Sequence, residues 1–192
     1  MTGTGRAIML EKMAKEPAAA SRSGPTAADC AKMSQTCACY NLRRASRAVT
    51  QLFDAYFDEI GLKSTQFTVL ATLAHADDAP PTIRALADTL VLEQSSLSRN
   101  LAVLERLGFV RLVPGEHDRR ERIVCLTRAG RSALARGFPI WRKAQAAIAS
   151  ALETEELESQ LRALRRLTRT AQELRPSRPR ATRSPVRETR PS

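Results

Sequence analysis

From about residue 39 to residue 174 the apolar positions recur every three or four residues, except for one short stretch where they alternate. Leu42, Ala45, Val49, Leu52, Tyr56 and Ile60, widened by Phe53 and Phe57, predict a first helix over Cys39–Ile60 that Gly61 ends. Ser64 stands where a cap is needed for a second helix, Thr65–Ala74, with Phe67, Leu70 and Leu73 inward. After the turn Asp77-Asp78-Ala79-Pro80-Pro81, Thr82 caps a short third helix bearing Ile83, Leu86 and Leu90. A fourth covers Gln94–Leu107, with Leu97, Leu101 and Leu104 on one face and Ser95, Ser96, Ser98, Arg99 and Asn100 largely off it. Gly108 stops that helix and the period drops to two. Phe109–Val113 and Arg122–Leu126 then read as a β-hairpin with a charged tip that includes His117. Thr127 caps a fifth helix to about Leu152, with a kink expected at Pro139. Thr154 caps a sixth, striped by Leu157, Leu161, Leu164, Leu167, Ala171 and Leu174.

This order predicts a mainly α fold with a small β-wing. Two short helices joined by a tight turn and followed by a charged hairpin make a winged helix-turn-helix head, over residues 61–127. Helices at 39–60 and 128–174 flank it, and their long apolar stripes exceed what one subunit of this size needs, so they are read as dimerisation helices. Residues 1–36 and the Arg/Pro-rich 175–192 lack sustained periodicity and read as disordered tails.

Charge changes the picture only after it is divided. The chain of 192 residues carries a net +11. Six Arg against one Glu in 175–192 supply +5 of it, and residues 37–174 hold 20 basic against 16 acidic residues. The high isoelectric point therefore favours acidic partners without by itself locating a folded nucleic-acid site. No apolar run is long enough for a membrane span, and Met1–Lys15 has no hydrophobic region of the kind a secretory signal needs. A cytoplasmic protein with reduced thiols at Cys30, Cys37, Cys39 and Cys125 is expected.

The chemistry suits duplex DNA. A helix about 10–12 Å wide fits a major groove about 12 Å wide. Small hydroxyls and Arg99 on its outer face allow close approach and hydrogen bonding to bases and phosphates. The hairpin sets Arg119, Arg120 and Arg122 beside that helix, and Asp118 is expected to hold a wing arginine in an ion pair. Taken together, Leu86-Ala87-Asp88, Ser95 through Leu101, Leu104-Glu105-Arg106-Leu107-Gly108, Asp118-Arg119-Arg120 and Leu126-Thr127-Arg128-Ala129-Gly130 resemble the MarR family of transcriptional regulators. The resemblance covers about Cys39 to Leu174, the MarR-type domain being set at 37–174. It implies a homodimer with intertwined first and last helices, bound to double-stranded DNA at a palindromic operator, acting as a repressor or dual regulator of nearby genes and answering to a small-molecule effector. By position it implies Ser95, Ser96, Ser98 and Arg99 in the major groove and Arg120 in the minor groove, with Asp118 holding it; Asn100, Arg119 and Arg122 complete the candidate DNA-binding residues.

Cys37 and Cys39 sit where the first helix begins, and free amides with the helix dipole favour a thiolate there. The peroxide-sensing branch of the family keeps a reactive cysteine near this point, followed by Leu and Tyr; here Leu42 matches and Arg43 replaces the Tyr. Redox sensing by Cys37 and Cys39 stands beside plain packing as their reading. No Cys/His spacing suits zinc, no glycine-rich nucleotide loop appears, and no cofactor is expected. An enzyme is not expected either: Cys37 or Cys39 as nucleophile would have only His75 as a base, with nothing to align it. A third reading is an architectural protein that binds nucleic acid through its basic tail.

Overall fold

The computed structural model describes residues 24–176 apart from 77, 78 and 117. His117, Asp77, Asp78, most of the N-terminal tail and nearly all of the C-terminal one lie outside the described residues. The chain divides into two compact units, one ending at Val49 and one beginning at Thr50.

The first unit departs from the sequence expectation. The sequence predicts a tail as far as residue 36, but Ala27–Thr36 is a helix, α1. Its cause is local. Thr26 and Asp29 form a capping box, with the Thr26 amide donating to Asp29 Oδ2 at 2.9 Å and the Asp29 amide donating to Thr26 Oγ1 at 3.2 Å. The same Thr26 hydroxyl and amide hold the Asp29 carboxyl below its usual range. α1 buries no residue, which is why no apolar period announces it. A corner at Cys37 leads into α2, Ala38–Phe57. The Cys37 amide donates to Met33 O at 2.8 Å, closing α1, and Cys37 Sγ accepts the Tyr40 amide at 3.5 Å, opening α2. Asn41 Nδ2 braces the corner by donating to Ser34 O at 2.9 Å and to Cys37 O at 3.0 Å.

In the second unit, the end of α2 passes through a 3₁₀ turn, Asp58–Ile60, and Gly61 at φ +66°. α3 is Ser64–His75. Ser64 is its first residue rather than its cap. Its amide and hydroxyl both donate to Asp54 Oδ1, at 2.7 and 2.6 Å, so a carboxylate on α2 does the capping. α4, Ile83–Leu90, begins as expected, with Thr82 Oγ1 accepting from the Ala85 amide at 3.1 Å. α5 is Gln94–Arg106. β1, Val110–Pro114, and β2, Arg122–Leu126, pair antiparallel with Leu112 opposite Val124. Thr82 bridges to Ile123, and the Val124 amide donates to Pro81 O at 2.9 Å, so the start of α4 is stitched to the wing.

α6 runs from Arg128 to Leu152, through Pro139, and α7 from Thr154 to Glu173. The residue between them, Glu153, has φ +59°, and Thr154 opens α7 rather than capping it. Leu86, Leu97, Leu101, Leu104 and Val124 are fully buried at the junction of α4, α5 and β2, and Phe57, Leu70 and Ala133 continue the core. Burial of each large side chain contributes about 1.5–3 kcal/mol, so the spacing 97, 101, 104 alone secures α5.

Thr127 joins α5, β2 and α6. Its hydroxyl donates to Gly108 O at 2.6 Å and accepts the Gly130 amide at 3.0 Å, while its own amide donates to Phe109 O at 3.1 Å. Gly130 lies so close that a Cβ there would collide with Phe109 O. Gly130→Ala is therefore expected to lower stability by about 1–3 kcal/mol or more in urea denaturation, because the crowding atom is backbone and cannot step aside. An unchanged midpoint would contradict this contact.

The turn between α4 and α5 carries the opposite kind of feature. Val91 adopts φ +53°, ψ +43°, a left-handed conformation that costs a side-chain-bearing residue about 1–2 kcal/mol. Val91 is exposed, so its side chain recovers little by packing. Val91→Gly is expected to raise the thermal midpoint by a few degrees, after about 0.5–1 kcal/mol is returned as glycine chain entropy. A lower midpoint would show that the side chain stabilises the turn.

Candidate nucleic-acid interface

α5 presents two unlike faces because its leucines recur at four and three. With Leu97, Leu101 and Leu104 inward, Gln94, Ser95, Ser96, Ser98 and Arg99 are exposed and Asn100 is half-buried. Small side chains dominate the first turns of the exposed face, so a ligand can approach the backbone closely. The Ser98 hydroxyl donates back to Gln94 O at 2.8 Å, which leaves its oxygen as an acceptor facing outward. Arg99 Nη2 donates to Ser96 Oγ at 3.3 Å, one turn earlier. That contact orients the guanidinium along the N-terminal half of the helix and leaves most of its donors open.

The wing is tied to this helix and to itself. Glu105 Oε1, on α5, accepts the Leu112 amide of β1 at 3.2 Å. At the tip the Gly115 amide donates to Glu121 O and the Glu121 amide to Asp118 O, both at 3.0 Å. Gly115 is required there, since a Cβ would meet Asp118 O at 2.7 Å. Asp118 does not work as expected. Its Oδ1 accepts the backbone amide of Arg120 at 2.8 Å, and among the described residues no ion pair joins it to a wing arginine. It holds the loop by an aspartate turn, which shapes the backbone and leaves Arg119, Arg120 and Arg122 exposed and uncommitted.

The structure therefore brings together the exposed face of α5 and the three wing arginines on one rigid head. Sequence reasoning missed Glu105, which fixes the wing to α5, and the structural burden on Thr127, Gly130 and Gly115. It also missed Glu93, which flanks the start of α5 and accepts from Arg175 Nη2 at 3.4 Å. Thr127, Gly130 and Gly115 had a signal in the run Leu126-Thr127-Arg128-Ala129-Gly130 and in Pro114-Gly115; the contact across 82 positions had none.

Only one of the four thiols, Cys125, belongs to the head. Cys37 is half-buried at the α1–α2 corner, Cys39 and Cys30 are exposed, and Cys125 is half-buried on β2. Among the described residues no group of three His, Cys, Asp or Glu side chains is placed to hold a metal ion. No described helix is long and apolar enough to cross a membrane.

Outside the head, apolar side chains stand in solvent. On α7, Leu161, Leu164 and Leu167 are 37%, 43% and 39% exposed, and α2 exposes Tyr40, Val49 and Leu52.

The sequence model of the MarR family matches residues 60–121, which span the head from the end of the 3₁₀ turn to the wing tip. Among solved structures, the Mycobacterium tuberculosis transcriptional regulator MosR, crystallised in complex with DNA, is similar over 73% of this chain and 99% of its own. The identity is 34% and the TM-score 0.66. The transcriptional activatory protein BadR of Rhodopseudomonas palustris is 36% identical over 72 residues, 37% of this chain. The HTH-type transcriptional regulator PecS of Dickeya dadantii is 33% identical over 91 residues, 46% of this chain. These two matches span only 41% and 54% of the relatives' own lengths. The order of elements, the wing and the likeness to MosR along its whole length agree: the chain belongs to the MarR family.

Proposed function

We propose that this protein is a sequence-specific DNA-binding regulator of transcription, a homodimer that acts as a repressor and is released from its operator by a small molecule or by thiol oxidation. The observation that carries the reading is the exposed face of α5. Ser95, Ser96, Ser98 and Arg99 share the side opposite the buried leucines, and three uncommitted wing arginines are held on the same head. In the major groove Arg99 has the geometry to donate two hydrogen bonds to a guanine O6 and N7. The serine hydroxyls take phosphates or base edges, and the wing arginines suit a narrow minor groove, where the negative potential is strongest.

The dimer is inferred from the leucine stripe of α7 and the apolar face of α2, which stay exposed in one chain. Covering them with a second copy removes that surface from water and supplies a second head. Two-fold symmetry then calls for an inverted repeat with half-site centres about one turn, 10 to 10.5 bp, apart. On a duplex of that kind, recovered by selection from random sequence, Arg99→Ala is expected to cost on the order of 1–3 kcal/mol of discrimination against random DNA. Equal weakening on both DNAs would reassign Arg99 to a phosphate.

Thiol control rests on the α1–α2 corner. Cys37 Sγ accepts the Tyr40 amide in the first turn of α2, and Cys39 is the second residue of that helix. Peroxide converts a thiolate to sulfenate with loss of water, and a neighbouring thiol can then displace hydroxide to close a disulfide. Either product enlarges or cross-links the corner and changes how α2 starts. Operator affinity is expected to fall with peroxide and return with dithiothreitol in the native chain, and to stay constant in Cys37→Ser. Equal affinities in all conditions would leave both cysteines as packing residues and make a non-covalent ligand the inducer.

A further inference from the structure

α7 carries a second stripe besides its leucines. Arg162, Arg165, Arg166 and Arg169 fall within eight residues at helical spacing, so all four share one side of the helix. Their centre lies about 145° round the axis from that of Leu157, Leu161, Leu164 and Leu167. A second copy seated on the leucines therefore leaves the arginines in solvent. Arg162 pairs with Glu158 at 3.4 Å, and Arg165, Arg166 and Arg169 have no ion pair among the described residues.

Nothing within the helix calls for this stripe. The dipole favours acids at the start, where Glu155 and Glu156 stand, and cations in the last turn, which holds none. The arginines lie between the two. Like charges three and four residues apart destabilise a helix, so the stripe works against α7 until an anion neutralises it. With Thr170 and Glu173 the four arginines bound an open trough of about 530 Å³. It has four cations against one carboxylate and no aromatic or aliphatic side chain to hold a ring. The row runs about 10 Å from Arg162 to Arg169, one turn every 5.4 Å or so. Each guanidinium can take two oxygens of a phosphate side by side.

We propose that this face of α7 binds a linear chain of linked phosphates, and that such a chain is the small molecule that releases the operator. The effector role rests on the DNA-binding function proposed above; the anion site does not. A phosphate chain places one charge after another along the row, which a compact anion cannot do. The route to the head is electrostatic. Arg169 lies six residues, about 9 Å along the axis, before Arg175. Arg175 Nη2 in turn lies 3.4 Å from Glu93 Oε1, on the residue that flanks α5. Screening extends over about 8 Å at physiological salt, so phosphates on the row add negative potential near the start of α5 and weaken its hold on DNA phosphates.

The test is isothermal titration calorimetry of the full chain with orthophosphate, pyrophosphate, tripolyphosphate, adenosine triphosphate and citrate at one ionic strength. Affinity is expected to rise with each added phosphate. Adenosine triphosphate should match tripolyphosphate to within about threefold, because nothing in the trough recognises a base. The triple variant Arg165→Gln, Arg166→Gln, Arg169→Gln should bind tripolyphosphate at least about tenfold more weakly, as three charge-assisted contacts are lost. The wing variant Arg119→Gln, Arg120→Gln, Arg122→Gln should bind it as the native chain does. On the selected operator, tripolyphosphate should lower the affinity of the native chain a few-fold, more at low salt, and leave that of the α7 variant unchanged. Citrate bound as tightly as tripolyphosphate, or equal binding by the native chain and the α7 variant, would overturn the site while operator binding still stands. An operator affinity that ignores tripolyphosphate, or falls equally in both chains, would overturn the effector role. Calorimetry needs no DNA, so a chain that takes tripolyphosphate yet selects no operator would uphold the anion site and remove the DNA-binding reading.

Discussion

One threonine sets the geometry on which the rest of this head depends. Thr127 uses its hydroxyl to close the carbonyl at Gly108, where α5 ends, and to receive the Gly130 amide, where α6 begins. Its amide ties the same point to Phe109, at the start of the wing. Gly130 lets the two backbones meet at a distance no side chain permits. Helix α5, the return strand of the wing and the long helix leading away from the head are thus locked at a single corner. The proposed reading of a duplex requires this. A helix in one groove and a loop in the next can act together only if the angle between them is set before DNA arrives, so that docking costs little ordering.

The remaining contacts serve the same end at smaller scale. Glu105 fastens β1 to α5, the Asp118 turn and Gly115 fix the tip, and the bridge from Thr82 to Ile123 ties α4 into the sheet. All use backbone groups as one partner. The arginines and serines that face outward are left out of this network, apart from the Arg99–Ser96 and Ser98–Gln94 contacts on α5 itself. Stability and the proposed recognition therefore rest on different atoms, and the outer face can vary while the frame stays.

Most of the fold is legible in the sequence, because periodicity and caps are local. Leu97, Leu101 and Leu104 announce α5, and Thr82 and Thr127 mark the helix starts where the structure has them. α1 escapes because it buries nothing; its signal is the pair Thr26 and Asp29, which a search for apolar stripes passes over. Ser64 misleads because its true partner, Asp54, lies ten residues upstream on another helix. Val91 and Glu153 adopt positive φ with no glycine to betray it. In the candidate site, the outer face of α5 and the wing arginines are evident from spacing alone. The role of Asp118 is not, since an aspartate two residues before an arginine serves a backbone amide or a guanidinium equally well on paper. The approach of Arg175 to Glu93 depends on how α6 and α7 fold back, which no local pattern encodes.

The measurement that bears most directly on the head as a pre-set two-groove reader is dimethyl sulfate footprinting of the selected operator. One reagent reports guanine N7 in the major groove and adenine N3 in the minor groove. A pre-set head predicts guanine protections in two major-groove segments about one helical turn apart, flanked on each side by protected adenines where the wings lie. A single protected segment, or protection in only one kind of groove, would contradict it.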